Sequence, residues 1–235
     1  VISSSDGSRI FATTESSAVY LSQDGGVTWI QRQPPLNLTN NQSLQRVAIS
    51  GDGIKVLVAF SNAILISMDG GGSWQTAPIS GVSSFRDVAL SVDGSLLFAL
   101  GFDESEQLCI FTSLDGGATW NKRSSFVGEY YDKIRLSGDG RKVAVFGDGR
   151  LAVSLDGGET WMPRQQSVER VAWSKDGSVL FALYPPALRS TDNGETWQRV
   201  RSGGALQSSL ESNADGSTFY SINCFNWDGP WTCYA

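Results

Sequence analysis

Short apolar runs recur along this chain at a nearly even pace, and turn residues close each of them. Residues 45–49, 55–60 and 63–66 are typical. Each run is four to seven residues long, rich in Val, Ile, Leu and Phe, and bounded by Gly, Asp or Ser. That pattern predicts β-strands. No ten-residue window combines a helical period with caps, so no helix is predicted.

The punctuation falls into two alternating motifs. The first is Ser or Asn, any residue, then Asp-Gly; its aspartates are Asp6, Asp52, Asp93, Asp139, Asp176 and Asp215, spaced 37 to 46 residues apart. The second is Ser-x-Asp-x-Gly-x-Thr/Ser-Trp, at 22–29, 67–74, 113–120, 154–161 and 190–197. A sixth, degraded copy spans 226–233: Asn226 replaces Ser, Pro230 replaces Gly and Cys233 stands where Trp belongs. Its Asp228 follows Asp192 by 36 residues, the same step that separates Asp156 from Asp192. One strand precedes each Asp-Gly turn, a second follows it, a third enters the longer motif and a fourth begins at its Trp. Four strands per repeat and a period near 40 predict an all-β, six-bladed β-propeller of four-stranded antiparallel blades. The expected organisation is a single domain over 1–235, with blades near 1–44, 45–84, 85–131, 132–168, 169–206 and 207–235. The last blade is atypical, as terminal repeats often are.

The longer motif resembles the Asp-box, also called the bacterial neuraminidase repeat. The resemblance covers essentially the whole chain and implies a hairpin joining the third and fourth strands of each blade. It does not imply a function, because similar boxes occur in sialidases, other glycoside hydrolases, sorting receptors and photosystem assembly factors. The residues suit a structural role. Asp24, Asp69, Asp115, Asp156, Asp192 and Asp228 can accept backbone N–H groups within their own turns. Glycine supplies the positive φ. Trp29, Trp74, Trp120, Trp161 and Trp197 place an apolar body between turn and blade, and each indole N–H needs a nearby acceptor. A calcium role fits poorly, since each carboxylate stands alone in its own blade and calcium takes several oxygen ligands. No metal and no cofactor is expected.

Charge narrows the partners. The 235 residues carry a formal net charge of −6 with Lys and Arg scattered. No basic stripe exists to meet phosphates or an anionic membrane, and no apolar run is long enough to span one. The chain begins at Val1, so either a leader was removed or the chain was cut from something longer. Two N-glycosylation patterns, at Asn37 and Asn41, share one Pro- and Asn-rich loop and suggest a secreted or cell-surface glycoprotein; a plain polar loop is the bland alternative. Of the three cysteines, Cys224 and Cys233 lie symmetrically about the centre of the degraded hairpin. They are expected to face each other and form a disulfide, with two reduced thiols as the alternative. Cys109 is then a free thiol buried in blade 3.

Topology puts both motifs at one rim and the variable loops at the other, where binding residues concentrate. The longest variable stretches are 31–44, 75–85, 101–108 and 121–132. Arg46, Arg86, Asp87, Asp132, Lys133 and Arg170 align near the ends of the first strands and are expected at the mouth of a central channel. They would form either a polar ligand pocket or a plug of mutually satisfied charges. Catalysis has little support. The chain has no histidine, which excludes His-based triads. The early Arg-Ile-Pro string of sialidases is absent, Arg9-Ile10-Phe11 being the nearest. Acids at 87, 103, 104, 106, 129 and 132 could pair for glycoside hydrolysis, but nothing selects a pair, and 103–106 reads as a solvated acidic loop. The expectation is therefore a non-catalytic extracellular binding or assembly module. It would meet a protein or glycan on the variable rim, within a larger extracellular assembly. The alternative is a glycoside hydrolase or lectin using that rim.

Overall fold

The computed structural model describes residues 1–14, 18–32, 44–126, 130–183 and 187–200. For 124–126 and for the strands at 209–212, 219–225 and 232–234 it describes the backbone alone. Among these residues the chain is all-β, without a helix, and therefore without any helix long and apolar enough to cross a membrane. It divides into two compact units, Val1–Glu129 and Tyr130–Ala235.

The first unit holds three antiparallel four-stranded sheets, each in simple sequence order. The first comprises β1 (Ile2–Ser3), β2 (Ile10–Thr13), β3 (Val19–Ser22) and β4 (Ile30–Arg32). The second comprises β5 (Leu44–Ile49), β6 (Val56–Phe60), β7 (Ile64–Ser67) and β8 (Gln75–Thr76). The third comprises β9 (Val82–Leu90), β10 (Leu97–Asp103), β11 (Leu108–Ser113) and β12 (Asn121–Phe126). The second unit adds two more four-stranded sheets. These are β13 (Lys133–Leu136), β14 (Val143–Gly147), β15 (Arg150–Ser154) and β16 (Met162–Arg164), then β17 (Arg170–Trp173), β18 (Leu180–Leu183), β19 (Leu188–Ser190) and β20 (Gln198–Arg199). A three-stranded sheet follows, of β21 (Ser209–Ser212), β22 (Phe219–Phe225) and β23 (Thr232–Tyr234).

The second strands β6 and β18 are apolar at every position because they are covered on both faces. In β6, Val56, Val58 and Phe60 pack with Phe11, Val19 and Leu21 of the first sheet. The alternate residues Leu57 and Ala59 pack with Phe85, Val88, Leu97 and Ala99 of the third. The same period of two divides β18: Leu180 and Ala182 join Ala144, Phe146 and Val153, whereas Phe181 and Leu183 join Val179 and Ala187. Each fully buried Leu or Phe contributes about 1.5–3 kcal/mol. A sheet so clothed cannot be stable alone, which is why the chain repeats it.

The structure corrects two local expectations. In the five four-stranded sheets the fourth strand begins one residue after the motif Trp, at Ile30, Gln75, Asn121, Met162 and Gln198, because the Trp still belongs to the turn. Three of the stretches read as variable loops also contain much regular strand: β9 starts at Val82, β10 runs to Asp103 and β12 runs to Phe126. The third sheet is thus longer than its neighbours, and β9 keeps pace with β10 through register shifts at Leu100/Gly101 and Phe102/Asp103.

Candidate functional site

Both motifs build the same end of every four-stranded sheet. In the box at 22–29, Asp24 Oδ1 accepts the Ser22 hydroxyl at 2.7 Å and the Thr28 N–H at 2.8 Å, while Oδ2 accepts the Thr28 hydroxyl. Ser22 Oγ in turn accepts the Gly26 N–H at 2.8 Å. The box at 113–120 repeats this with Ser113, Asp115, Gly117 and Thr119, and the box at 190–197 with Ser190, Asp192, Gly194 and Thr196. The indole N–H of Trp29, Trp120, Trp161 and Trp197 donates to the carbonyl of Gly26, Gly117, Gly158 and Gly194 at 3.0–3.2 Å. Trp74 packs against the core between the first two sheets, and Trp29 remains 43 % exposed. Asn193, at φ 60°, takes the left-handed position that glycine fills in the other described boxes.

These bonds fix the charge of the carboxylates. The Thr28 hydroxyl and N–H, with the Ser22 hydroxyl, hold Asp24 at about 2 rather than the usual 3.8. The same pattern holds Asp192 at about 2, led by the Thr196 hydroxyl, and Asp69 at about 2, led by the Ser73 N–H. The Thr119 hydroxyl likewise depresses Asp115. Each of these carboxylates already accepts at least three donors from its own turn, so the box is a self-contained hairpin lock.

Sequence reading missed how the turns of successive sheets are linked. At three of the Asp-Gly turns the residue before the Asp bridges to its counterpart in the next sheet: Ser5 N–H to Gly51 O at 2.8 Å, Gly51 N–H to Val92 O at 2.7 Å and Gly138 N–H to Lys175 O at 2.7 Å. A Cβ on Gly138 would lie 2.5 Å from the Lys175 carbonyl oxygen, which explains that glycine. Three residues after the Asp, a cation completes the clasp in some sheets. The Lys55 ammonium donates to Gly94 O at 2.5 Å. The Lys142 ammonium donates to Gly177 O and to Asn193 Oδ1, both at 2.7 Å, and lies 5.5 Å from the centre of the Trp173 ring. A basic residue in register at 9, 55 and 142 was the available signal.

The opposite ends of the sheets are not repetitive. Arg46 of β5 pairs with the buried Asp87 of β9 at 3.5 Å, and Asp87 also accepts the Val88 N–H. Arg86 lies over the Phe102 ring at 5.1 Å. Lys133 pairs with its neighbour Asp132 at 3.1 Å, and Arg170 opens β17. The structure thus joins Arg46 with Asp87 and Asp132 with Lys133, and sends Arg86 to an aromatic ring. Asn37, Asn41 and Asp228 lie outside the described residues. Cys224 and Cys233 are direct Cα partners in the β22–β23 ladder.

The third sheet carries the most elaborate of these ends. The segment expected as a solvated acidic loop is instead a hairpin organised by a buried aspartate. Asp103 Oδ1 accepts the N–H groups of Ser105 and Gln107, and its Oδ2 accepts the Lys122 ammonium at 2.7 Å. Lys122, the Gln107 N–H and the Ser105 N–H together hold Asp103 at about 2. Cys109 is a buried free thiol of β11 whose Sγ lies 3.2 Å from Gln107 O; burial raises its pKa. Beside this hairpin lies a hollow of about 320 Å³ that reaches Trp120 and the connection from the second sheet. Among the described residues, no group of three or more His, Cys, Asp or Glu is arranged to hold a metal ion.

Stereotyped turns on repeated four-stranded antiparallel sheets define the class: an all-β repeat protein whose four-stranded sheets carry the same two turns at one end. Residues 188–199 match the BNR/Asp-box repeat, so the chain carries the Asp-box repeat. No curated protein matches the chain in sequence. Among solved structures, it is similar in fold to YCF48 bound to D1 peptide, with a TM-score of 0.62 and 16% identity over 84% of this chain and 64% of that one. It is similar to the GH74 enzyme of Niastella koreensis, with a TM-score of 0.63 and 19% identity over 85% of this chain and 30% of that one. The nidogen/laminin complex gives a TM-score of 0.60 and 12% identity over 79% of this chain and 72% of that one. The chain therefore spans under two thirds of the YCF48 chain and under a third of the GH74 chain.

Proposed function

We propose that this protein is a non-catalytic extracellular binding or assembly module, built as one six-bladed Asp-box propeller over residues 1–235. Its protein partner is engaged at the ends opposite the boxes. One observation carries the reading: the box ends repeat and their carboxylates are committed to their own turns, whereas the opposite ends differ from sheet to sheet. A surface that does not repeat is the one free to be specific. Two of the similar folds are named with a peptide or protein partner, YCF48 with the D1 peptide and nidogen with laminin, which supports a protein ligand in general. Within this reading, Arg46, Arg86, Asp87, Asp132, Lys133 and Arg170 ring the mouth of the central channel. Asn37 and Asn41 are glycan acceptors, and Cys224 and Cys233 form the disulfide of the last blade.

Selection of displayed peptides on the purified chain tests this. Selected peptides should lose affinity with Arg86→Ala, at the end opposite the boxes, and keep it with Met68→Ser, at the exposed edge of a box. Binding that follows Met68 rather than Arg86 would overturn the assignment of the surface. Turnover of glycoside substrates would overturn the non-catalytic reading in favour of a carbohydrate-active enzyme.

A further inference from the structure

We propose that the hollow on the third sheet is the seat of an arginine side chain presented by an extended segment of the partner; this rests on the binding reading above. The hollow has an apolar wall of Ile79, Phe111 and Trp120 and a polar side of Asp103, Glu104 and Lys122. Asp103 and Lys122 neutralise each other at 2.7 Å. Glu104 has no hydrogen-bond or ion-pair partner among the described residues, so the lining as a whole is one charge negative. An anionic ligand is disfavoured there, and an uncharged apolar one would leave the exposed Glu104 carboxylate unused. A cation with a long aliphatic stem and a flat head meets both sides at once. The stem lies on the apolar wall, and the guanidinium faces the indole and bonds the free carboxylate. Volume agrees, for about 320 Å³ is at the low end of ligand pockets and suits one or two long side chains. The net charge of −6 favours the approach of a basic segment. Lys122 of β12, Asp103 at the end of β10 and Phe111 of β11 form its strand-borne side, and Ile79, Glu104 and Trp120 come from the connecting turns.

The test is a nuclear magnetic resonance titration of the full chain with the peptide acetyl-Gly-Arg-Gly-amide and with its citrulline counterpart, which keeps the shape and loses the charge. The Trp120 indole N–H resonance should shift and saturate with the arginine peptide and stay in place with the citrulline one. Glu104→Gln is an exposed, isosteric change on the hairpin, and an unchanged thermal melt verifies that the variant is folded. It should weaken binding by about two- to fivefold, the effect of one exposed ion pair. A Trp120 resonance that does not move, an equal response to citrulline, or unchanged affinity in Glu104→Gln each overturns the proposal. The peptide selection above is read separately. Selected peptides that bind through Arg86 but ignore Glu104 and Trp120 would refute the arginine seat and leave the binding module standing.

Discussion

A serine hydroxyl is the hinge of each box. Ser113 is fully buried, donates to Asp115 and accepts the N–H of the buried Gly117. Ser113→Ala leaves that N–H without its acceptor and should cost about 1–3 kcal/mol, read as a lower urea midpoint at constant slope. The aspartates add a pH dependence of defined sign. Asp24, Asp69 and Asp192 are held at about 2 in the folded chain, against 3.8 for a free side chain. A carboxyl with a depressed folded pKa contributes stability that is complete above the unfolded value and disappears as pH falls through the folded value. The melting temperature should therefore be insensitive to these groups above about pH 5 and fall steeply between about pH 4 and pH 2. A flat profile through that window would show that the box bonds do not hold the carboxylates as the geometry indicates.

At the scale of elements, sheets are joined by packing of strands clothed on both faces and by the clasp between Asp-Gly turns. Packing is tolerant, since an Ile can be exchanged for a Val at modest cost. The clasp is not, because backbone meets backbone. Gly138→Ala places a methyl 2.5 Å from the Lys175 carbonyl oxygen, and that oxygen belongs to the main chain of the next turn. Destabilisation of about 1–3 kcal/mol is expected, with faster amide exchange at Gly138. Gly149→Ala is the control for glycine replacement itself: a Cβ there meets nothing within 4 Å, and its positive φ of 71° resembles that of many other turn glycines, so its cost is backbone strain alone.

At the scale of the whole molecule, the last repeat departs from the others. Its box has Cys233 where the others have their closing Trp, and its β22 and β23 pair Cys224 directly with Cys233. A disulfide there would close a short loop and stabilise the chain by about 2–3 kcal/mol. Peptide mapping without reduction should recover 224 and 233 in one cross-linked species and Cys109 as a free thiol. Recovery of both as free thiols in material prepared under oxidising conditions would refute the pairing.

The sequence by itself determined the strands, their grouping by four and the chemistry of the turns. Those features are local: a period of two in the apolar residues, an Asp that bonds residues two to four positions away, and a glycine that must take positive φ. Each can be read wherever it occurs, and five copies made the reading redundant. Only the tertiary structure decided what depends on residues distant in sequence. It turned Asp103 from a solvated acid into the organiser of a hairpin by bringing Lys122 to it across 19 positions. It joined Arg46 to Asp87, and it revealed the clasp from one Asp-Gly turn to the next. It also converted much of the supposed loop of the third sheet into strand, and so produced the hollow that no local pattern announces. A repeat tells what each unit does for itself; which side chains meet between units is set by packing, and packing is not periodic.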